Sequence, residues 1–309
     1  MRVAVIDLGT NTFHLIIADL SAAGVNVIYK TNVPVRLGQG RINENIIIPE
    51  AFERGLQTLK DFKTEIDHHQ VTLVRAIATS AVRSAGNGQD FVKQARDKPG
   101  IEIEVITGEQ EAEFIFNGVK ATGVIEQTSL VMDIGGGSTE FIICTPTAFL
   151  WKKSYNIGAA RLMQAFFHED PIGTAEKSAI HQHLTAELED LKKACIKYGP
   201  KTLIGSAGAF ETFAAMLLKD IDVNEIKSAK LDLHAYQTLS AKLITSTHAE
   251  RAAMPNLIAL RVDMIVIAAI LTDFVINETG LQNISLSTYD LKMGVLYSIW
   301  DDQKFDKAV

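Results

Sequence analysis

Arg2-Val-Ala-Val-Ile-Asp7-Leu8-Gly9-Thr10-Asn11-Thr12 and Ser129-Leu-Val-Met-Asp133-Ile134-Gly135-Gly136-Gly137-Ser138-Thr139 have the same pattern. Each is an apolar run that closes on Asp, an apolar residue, Gly and small polar residues. Each is followed by a second apolar run, Phe13 to Ala18 and Phe141 to Cys144. The pattern reads as a tight β-hairpin whose turn carries a carboxylate and backbone N–H groups, made twice. Two such turns facing one another would clamp a phosphate and a divalent cation.

Outward from the first turn, residues 2–8, 12–20 and 24–34 read as three antiparallel strands. Pro49 opens a helix to about Asp67, with Phe52, Leu56, Leu59 and Phe62 at helical spacing. A strand at 71–78, a short helix capped by Thr79-Ser80, a strand at 101–106 and a helix from Thr107 to about Lys120 complete a first half. The order then restarts. Strands at 128–133, 139–145 and 148–156 precede a helix from Gly158, a helical hairpin at 174–196 and a strand at 201–205. Gly205-Ser206-Ala207-Gly208 reads as a third small-residue turn before a helix at 209–218. Helices at 234–246 and 257–277, a strand at 282–286 and a helix at 289–302 end the chain. Three strands, a helix and strand–helix repeats, all occurring twice, predict an α/β chain of two actin-like (ribonuclease H-like) domains around a central cleft. The expected domains are 1–121 and 122–309, with a hinge near 120–127 and the last helix free to pack back on the first domain.

The chain has 309 residues, enough for two cores, and is 47% hydrophobic and 22% charged. Its net charge of −7 argues against nucleic acid as a partner. The most apolar stretch, Leu257 to Ile276, contains Arg261, Asp263 and Asp273, which argues for a buried helix and against a membrane span. Cys144 and Cys195 form no framework and read as free thiols in a reducing compartment. With no signal peptide read at the N-terminus, a cytoplasmic location is expected.

Several groups could carry chemistry. Gly135-Gly136-Gly137-Ser138 reads as a phosphate cradle, because three glycines cost entropy that a structural turn need not spend. Gly9, Thr10, Asn11 and Thr12 offer a second cradle or a plain hairpin turn. Asp7 and Asp133 close their strands and suit a metal that keeps its waters, or a local Asx-type bond. Glu140 reads as a further metal contact or as a solvated strand position. In Gly108-Glu109-Gln110-Glu111-Ala112-Glu113, Glu111 is either a general base for water or one more acid complementing a helix N-terminus. Arg83 is an anion contact or a surface salt bridge. The histidines offer no metal pair, and neither a Walker loop nor a serine-nucleophile elbow is present.

Asp7-Leu-Gly-Thr-Asn-Thr12, Val35-Arg-Leu-Gly38, Ala78-Thr-Ser-Ala-Val-Arg83 with Asn87, Gly108-x-x-Glu111-Ala112 and Asp133-Ile-Gly-Gly-Gly-Ser-Thr-Glu140 resemble, in order and spacing, the exopolyphosphatase / guanosine pentaphosphate phosphohydrolase family. The resemblance implies a short, two-domain, Mg²⁺- or Mn²⁺-dependent hydrolase of terminal phosphoanhydrides. It places the base on Glu111, because Gln110 occupies the rival acid position. It places metal contacts on Asp133 and Glu140, and phosphate contacts on Gly9–Thr12 and Gly135–Ser138. Ser287-Thr-Tyr-Asp290-Leu-Lys292-Met-Gly294 departs from the family, with Lys292 where an arginine is usual. The expected reaction is release of terminal orthophosphate from inorganic polyphosphate along a track of Arg36, Arg41, Arg83 and Lys292. The alternatives are 5′-phosphate hydrolysis of guanosine pentaphosphate and an actin-like nucleotide switch with little turnover. No membrane partner is expected, and a homodimer is left open.

Overall fold

The computed structural model describes residues 1–219 and 221–303. Position 220 and residues 304–309, the end of the expected second domain, lie outside it. The chain forms two compact units. Among the described residues, one contains Met1–Gly118 and residues 291–303, and the other lies within Val119–Asp290.

In the first unit, β1 (Arg2–Leu8), β2 (Phe13–Ser21) and β3 (Gly24–Val33) form an antiparallel meander. β4 (Leu73–Ala78) lies parallel to β1, and β5 (Ile103–Val105) parallel to β4, giving the order β3-β2-β1-β4-β5. Helix α1 (Pro49–His68) starts on Pro at its first position and buries Phe52, Leu56, Leu59, Phe62 and Ile66 on one face. Helices α2 (Ser80–Ser84), α3 (Gly88–Asp97) and α4 (Gly108–Ala121) follow. Phe91 of α3 meets Phe13 and Phe52 edge to face, which locks α3 into the core shared by the sheet and α1.

The second unit repeats the plan. β6 (Ser129–Ile134), β7 (Thr139–Cys144) and β8 (Phe149–Tyr155) form the meander. Helices α5 (Ala159–Phe166), α6 (Thr174–Glu187) and α7 (Glu189–Tyr198) lead to β9 (Thr202–Ser206), parallel to β6. Helix α8 (Ala207–Leu217), strand β10 (Ser228–Leu231), helices α9 (Leu233–Thr245), α10 (His248–Ala252) and α11 (Met264–Thr279), and strand β11 (Asn283–Ser287) complete it. The sheet order is β10-β11-β9-β6-β7-β8. Omitting the edge strand β10, it matches the first sheet strand for strand, so the actin-like layout holds in each unit. The last helix, α12 (Leu291–Asp302), packs on β1, β2 and β3 of the first unit, where Trp300 Nε1 donates to Ser21 O at 2.7 Å.

Two expectations fail locally. The helix expected from 257 begins only at Met264. Leu257 and Val262 reach into the core from a loop that otherwise stays largely exposed, Ile258 included at 58%, so their apolar side chains extend the helical pattern backward into the loop. Gly205–Gly208 is not a turn: β9 passes directly into α8 at Ser206. No helix among the described residues is long and apolar enough to cross a membrane.

Candidate active site

The two signature turns share a geometry. A Cβ on Gly9 would stand 2.8 Å from Thr12 O, and one on Gly135 would stand 3.0 Å from Ser138 O. Each turn therefore folds back so tightly that its first position excludes a side chain.

In the first unit the turn's carbonyls are already bound. Arg36 N–H donates to Asn11 O at 2.7 Å, and Gly38 N–H donates to Thr10 O at 3.1 Å. Arg54 holds that donor segment in turn, through Nε to Val35 O at 2.9 Å. A trans peptide sets its N–H opposite its C=O. The amides of Asn11 and Thr12 thus point away from residues 35–38. The hydroxyl-bearing Thr10 and Thr12 are buried, and Asp7 is half-buried opposite His14.

In the second unit the same device is stronger. Gly135 O accepts from Ala159 N–H at 2.9 Å, Gly136 O from Ala160 N–H at 2.9 Å, and Gly137 O from Arg161 Nε at 3.0 Å. All three carbonyls are turned onto the start of α5. The amides of Gly136, Gly137 and Ser138 consequently face the other way, as a concave set of donors suited to an anion.

Beside that turn, four polar side chains form a row across adjacent strands. Asp133 and Glu140 are direct cross-strand partners, so they share one face of the sheet. Ser206, the register partner of Asp133 on β9, donates to Asp133 Oδ2 at 3.0 Å. Ser154, the partner of Glu140 on β8, donates to Glu140 Oε1 at 2.6 Å. Both carboxylates and Ser206 are buried. Two buried carboxylates on one face, each steadied by a hydroxyl, fit a Mg²⁺-type donor set, since that ion takes one or two carboxylates and completes its shell with water and phosphate. No cluster of three or more His, Cys, Asp or Glu side chains suited to a metal occurs among the described residues.

Arg261 joins this group. Its guanidinium lies against Gly208 at the start of α8, with Nη2 1.6 Å from where a Gly208 Cβ would be. Burial lowers its pKa, and the negative charges of Glu211 and Asp133 oppose that shift. A cation against Gly208, two residues from the Ser206 that binds Asp133, is unexpected from sequence, where Arg261 argues only against a membrane span. Gly208 is the signal that could have revealed it, as a position where another group approaches the backbone closely.

On α4, Glu111 is 7% exposed, whereas Glu109 and Glu113 face solvent. Glu111 Oε2 accepts from Arg83 Nη1 at 2.9 Å, and the same nitrogen donates to Ile106 O at 2.9 Å. Arg83 thus combines two readings: it is in an ion pair, but with the candidate base. Gln110 has its own work. Thr107 N–H donates to Gln110 Oε1 at 2.9 Å, and Gln110 N–H donates to Thr107 Oγ1 at 3.2 Å, a reciprocal cap on α4. Of the expected cation track, Arg41 is likewise paired, through Nε to Glu44 Oε2 at 2.8 Å. Burial pushes both cysteine thiols up to about 12, so neither is a thiolate near neutrality.

A family model described as the Ppx/GppA phosphatase family matches residues 16–303. Exopolyphosphatase 2 of Mycobacterium tuberculosis is 31% identical over 314 residues, covering 96% of this chain and 98% of the relative. The crystal structure of an exopolyphosphatase from Cytophaga hutchinsonii superposes with a TM-score of 0.94 at 40% identity, covering 99% of each chain. The Aquifex aeolicus member of the Ppx/GppA family superposes with a TM-score of 0.83 at 26% identity, covering 98% of this chain and 99% of the other.

Proposed function

The chain belongs to the Ppx/GppA phosphatase family, and from that premise we propose that it is an exopolyphosphatase, releasing terminal orthophosphate from inorganic polyphosphate by hydrolysis. The observation that carries the reading is the tri-glycine turn with its three carbonyls spent on α5 and Arg161, next to the paired Asp133 and Glu140.

The second unit supplies anion binding. The amides of Gly136, Gly137 and Ser138 hold phosphate oxygens, and Arg261, against Gly208, adds a cation. Asp133 and Glu140 are the residues that would hold Mg²⁺ or Mn²⁺, with their second oxygens steadied by Ser206 and Ser154. Such an ion, when bound, neutralises phosphate charge that opposes nucleophilic attack. Half-buried Asp7, beside His14 and Ile77 in register, is a further candidate for contact with a metal or its water.

The first unit supplies the base. Glu111 accepts the proton of the attacking water, and Arg83 fixes the carboxylate's orientation through Oε2. The Gly9–Thr12 amides and hydroxyls offer a second set of phosphate donors. Nothing in this scheme calls for a covalent intermediate. It relies on positioning and electrostatics, as phosphoryl transfer generally does.

The test is orthophosphate release from long polyphosphate, guanosine pentaphosphate and ATP at equal terminal-phosphate concentration. The highest kcat/KM is expected on polyphosphate. Preference for guanosine pentaphosphate would reassign the substrate within the family, and tight retention of ATP or ADP without turnover would reject hydrolysis.

A further inference from the structure

We propose that Arg251 is a positioning residue for phosphate binding: it fixes the loop that carries Arg261 and so sets where that guanidinium stands against Gly208 at the start of α8. The proposal rests on the phosphate role given to Arg261 above.

Arg251 lies on the short helix α10, and its side chain is 1% exposed. Each edge of its guanidinium is used. Nε donates to Val262 O at 3.0 Å, Nη1 donates to Ser246 O, and Nη2 donates to Asp170 Oδ1 at 2.9 Å. A planar fork of fixed geometry thus reads three acceptors from three separate segments. The Val262 carbonyl belongs to the residue after Arg261, so this bond sets the backbone from which the Arg261 side chain departs. Arg261 is anchored on either side as well: its N–H donates to Ile258 O at 2.8 Å, and its carbonyl accepts from Ile265 N–H at 2.9 Å.

The same fork reaches toward the phosphate turn. Asp170 and Phe167 follow α5, and the Arg251 guanidinium lies 5.9 Å from the Phe167 ring centroid. The other end of α5 receives the carbonyls of Gly135 and Gly136. Arg251 therefore ties the segment that follows α5, the helix whose start holds the tri-glycine turn, to the Arg261 loop. His248 reinforces the tie, since its N–H donates to Asp170 Oδ2 at 2.5 Å and its Nε2 lies 3.2 Å from Asp263 Oδ1.

Stability alone is a poor reason for such a residue. A well-packed apolar group often does as well as a buried ion pair, whereas the fork specifies direction. Lysine would keep the charge but cannot bridge three acceptors in one plane.

The experiment is a double-mutant cycle on the full chain with Arg251→Lys, Arg261→Lys and the combination. KM and kcat are measured on long polyphosphate at saturating Mg²⁺, well below each variant's thermal midpoint. Each single variant should raise KM about tenfold, the effect of weakening one charge-assisted contact, with a smaller change in kcat. The combination should be no worse than Arg261→Lys alone, because Arg251 acts through Arg261. Asp170→Asn, which weakens the grip at a half-exposed partner, should raise KM in the same direction and replaces Arg251→Lys in the cycle if that variant does not fold. Multiplying KM effects, or an unchanged KM in folded Arg251→Lys, would overturn the proposal. Wild-type kinetics in Arg261→Lys would instead remove the phosphate role on which it rests, and a wild-type chain inert toward polyphosphate would remove the function itself.

Discussion

Replacing Gly208 by alanine separates the site from the fold. The new Cβ would lie 1.6 Å from Arg261 Nη2, 2.3 Å from its Cζ and 2.9 Å from Nη1. Ordinary contact begins near 3.4 Å, so the guanidinium must retreat by about 2 Å. The obstacle is the far end of a flexible side chain, so the steric cost to folding is small. Gly208 is the second residue of α8, where alanine gains at most part of the roughly 0.5–1 kcal/mol it has over glycine in a helix interior. The two effects leave the thermal midpoint unchanged or raised by a few degrees. The site does not share that tolerance. Moving a cation by about 2 Å forfeits a charge-assisted contact worth about 1.5–3 kcal/mol, which is about 10- to 150-fold in kcat/KM. The assay is orthophosphate release from long polyphosphate at 25 °C, paired with a thermal melt of the same preparation. A Gly208→Ala enzyme with an undiminished midpoint and undiminished kcat/KM would show that Arg261 does not serve the substrate. Loss of both together would point to a structural role.

Gly158→Ala should behave differently, because its Cβ would stand 2.5 Å from backbone atoms of Gly136 and Gly137. The tri-glycine turn must shift, which should lower stability by about 1–3 kcal/mol in a denaturant melt and kcat/KM with it. Activity should require Mg²⁺ or Mn²⁺, and Asp133→Asn should raise the metal concentration for half-maximal rate; full activity in excess chelator would reject the assignment. The thiols of Cys144 and Cys195 should resist alkylation at pH 8 until the chain unfolds. Their folded pKa values lie above the unfolded value, so the unfolded state loses protons first. Their contribution to stability is therefore intact below about pH 9 and declines from there to about 12, readable as a falling denaturant midpoint.

The fold was legible because the decisive signals are local. Two Asp-apolar-Gly turns, each between apolar runs, specify two hairpins, and Pro49 with its helical apolar spacing specifies α1. What escaped reading lacked such local marks. β10 is four residues, Ser228–Leu231, whose pairing comes from β11 rather than from its own alternation. α3 is anchored mainly by Phe91 and Ala95, too few positions to announce a helix. At the site, Glu111 and the Gly135–Ser138 turn stand out as candidates from residue type and motif order. The partnerships do not, because each joins segments far apart in sequence: Arg83 with Glu111, Ser206 with Asp133, Ser154 with Glu140, and Arg261 over Gly208. Gln110 looked like a lost acid and is a helix cap, a role visible only once Thr107 is seen to reciprocate.

The most direct measurement is the rate of orthophosphate release from saturating long polyphosphate by the wild-type chain and by Glu111→Gln, with polyphosphate affinity measured on the same samples by calorimetry. Glutamine preserves shape and can still face Arg83, but it cannot take a proton. A base positioned on water is worth about 10²–10⁴-fold. The expected result is a loss of kcat in that range with affinity retained, while Glu109→Gln, on the exposed side of α4, stays near wild type. A Glu111→Gln enzyme within a few-fold of wild-type kcat, or an equal loss in Glu109→Gln, would contradict the assignment of Glu111 as the group that activates water.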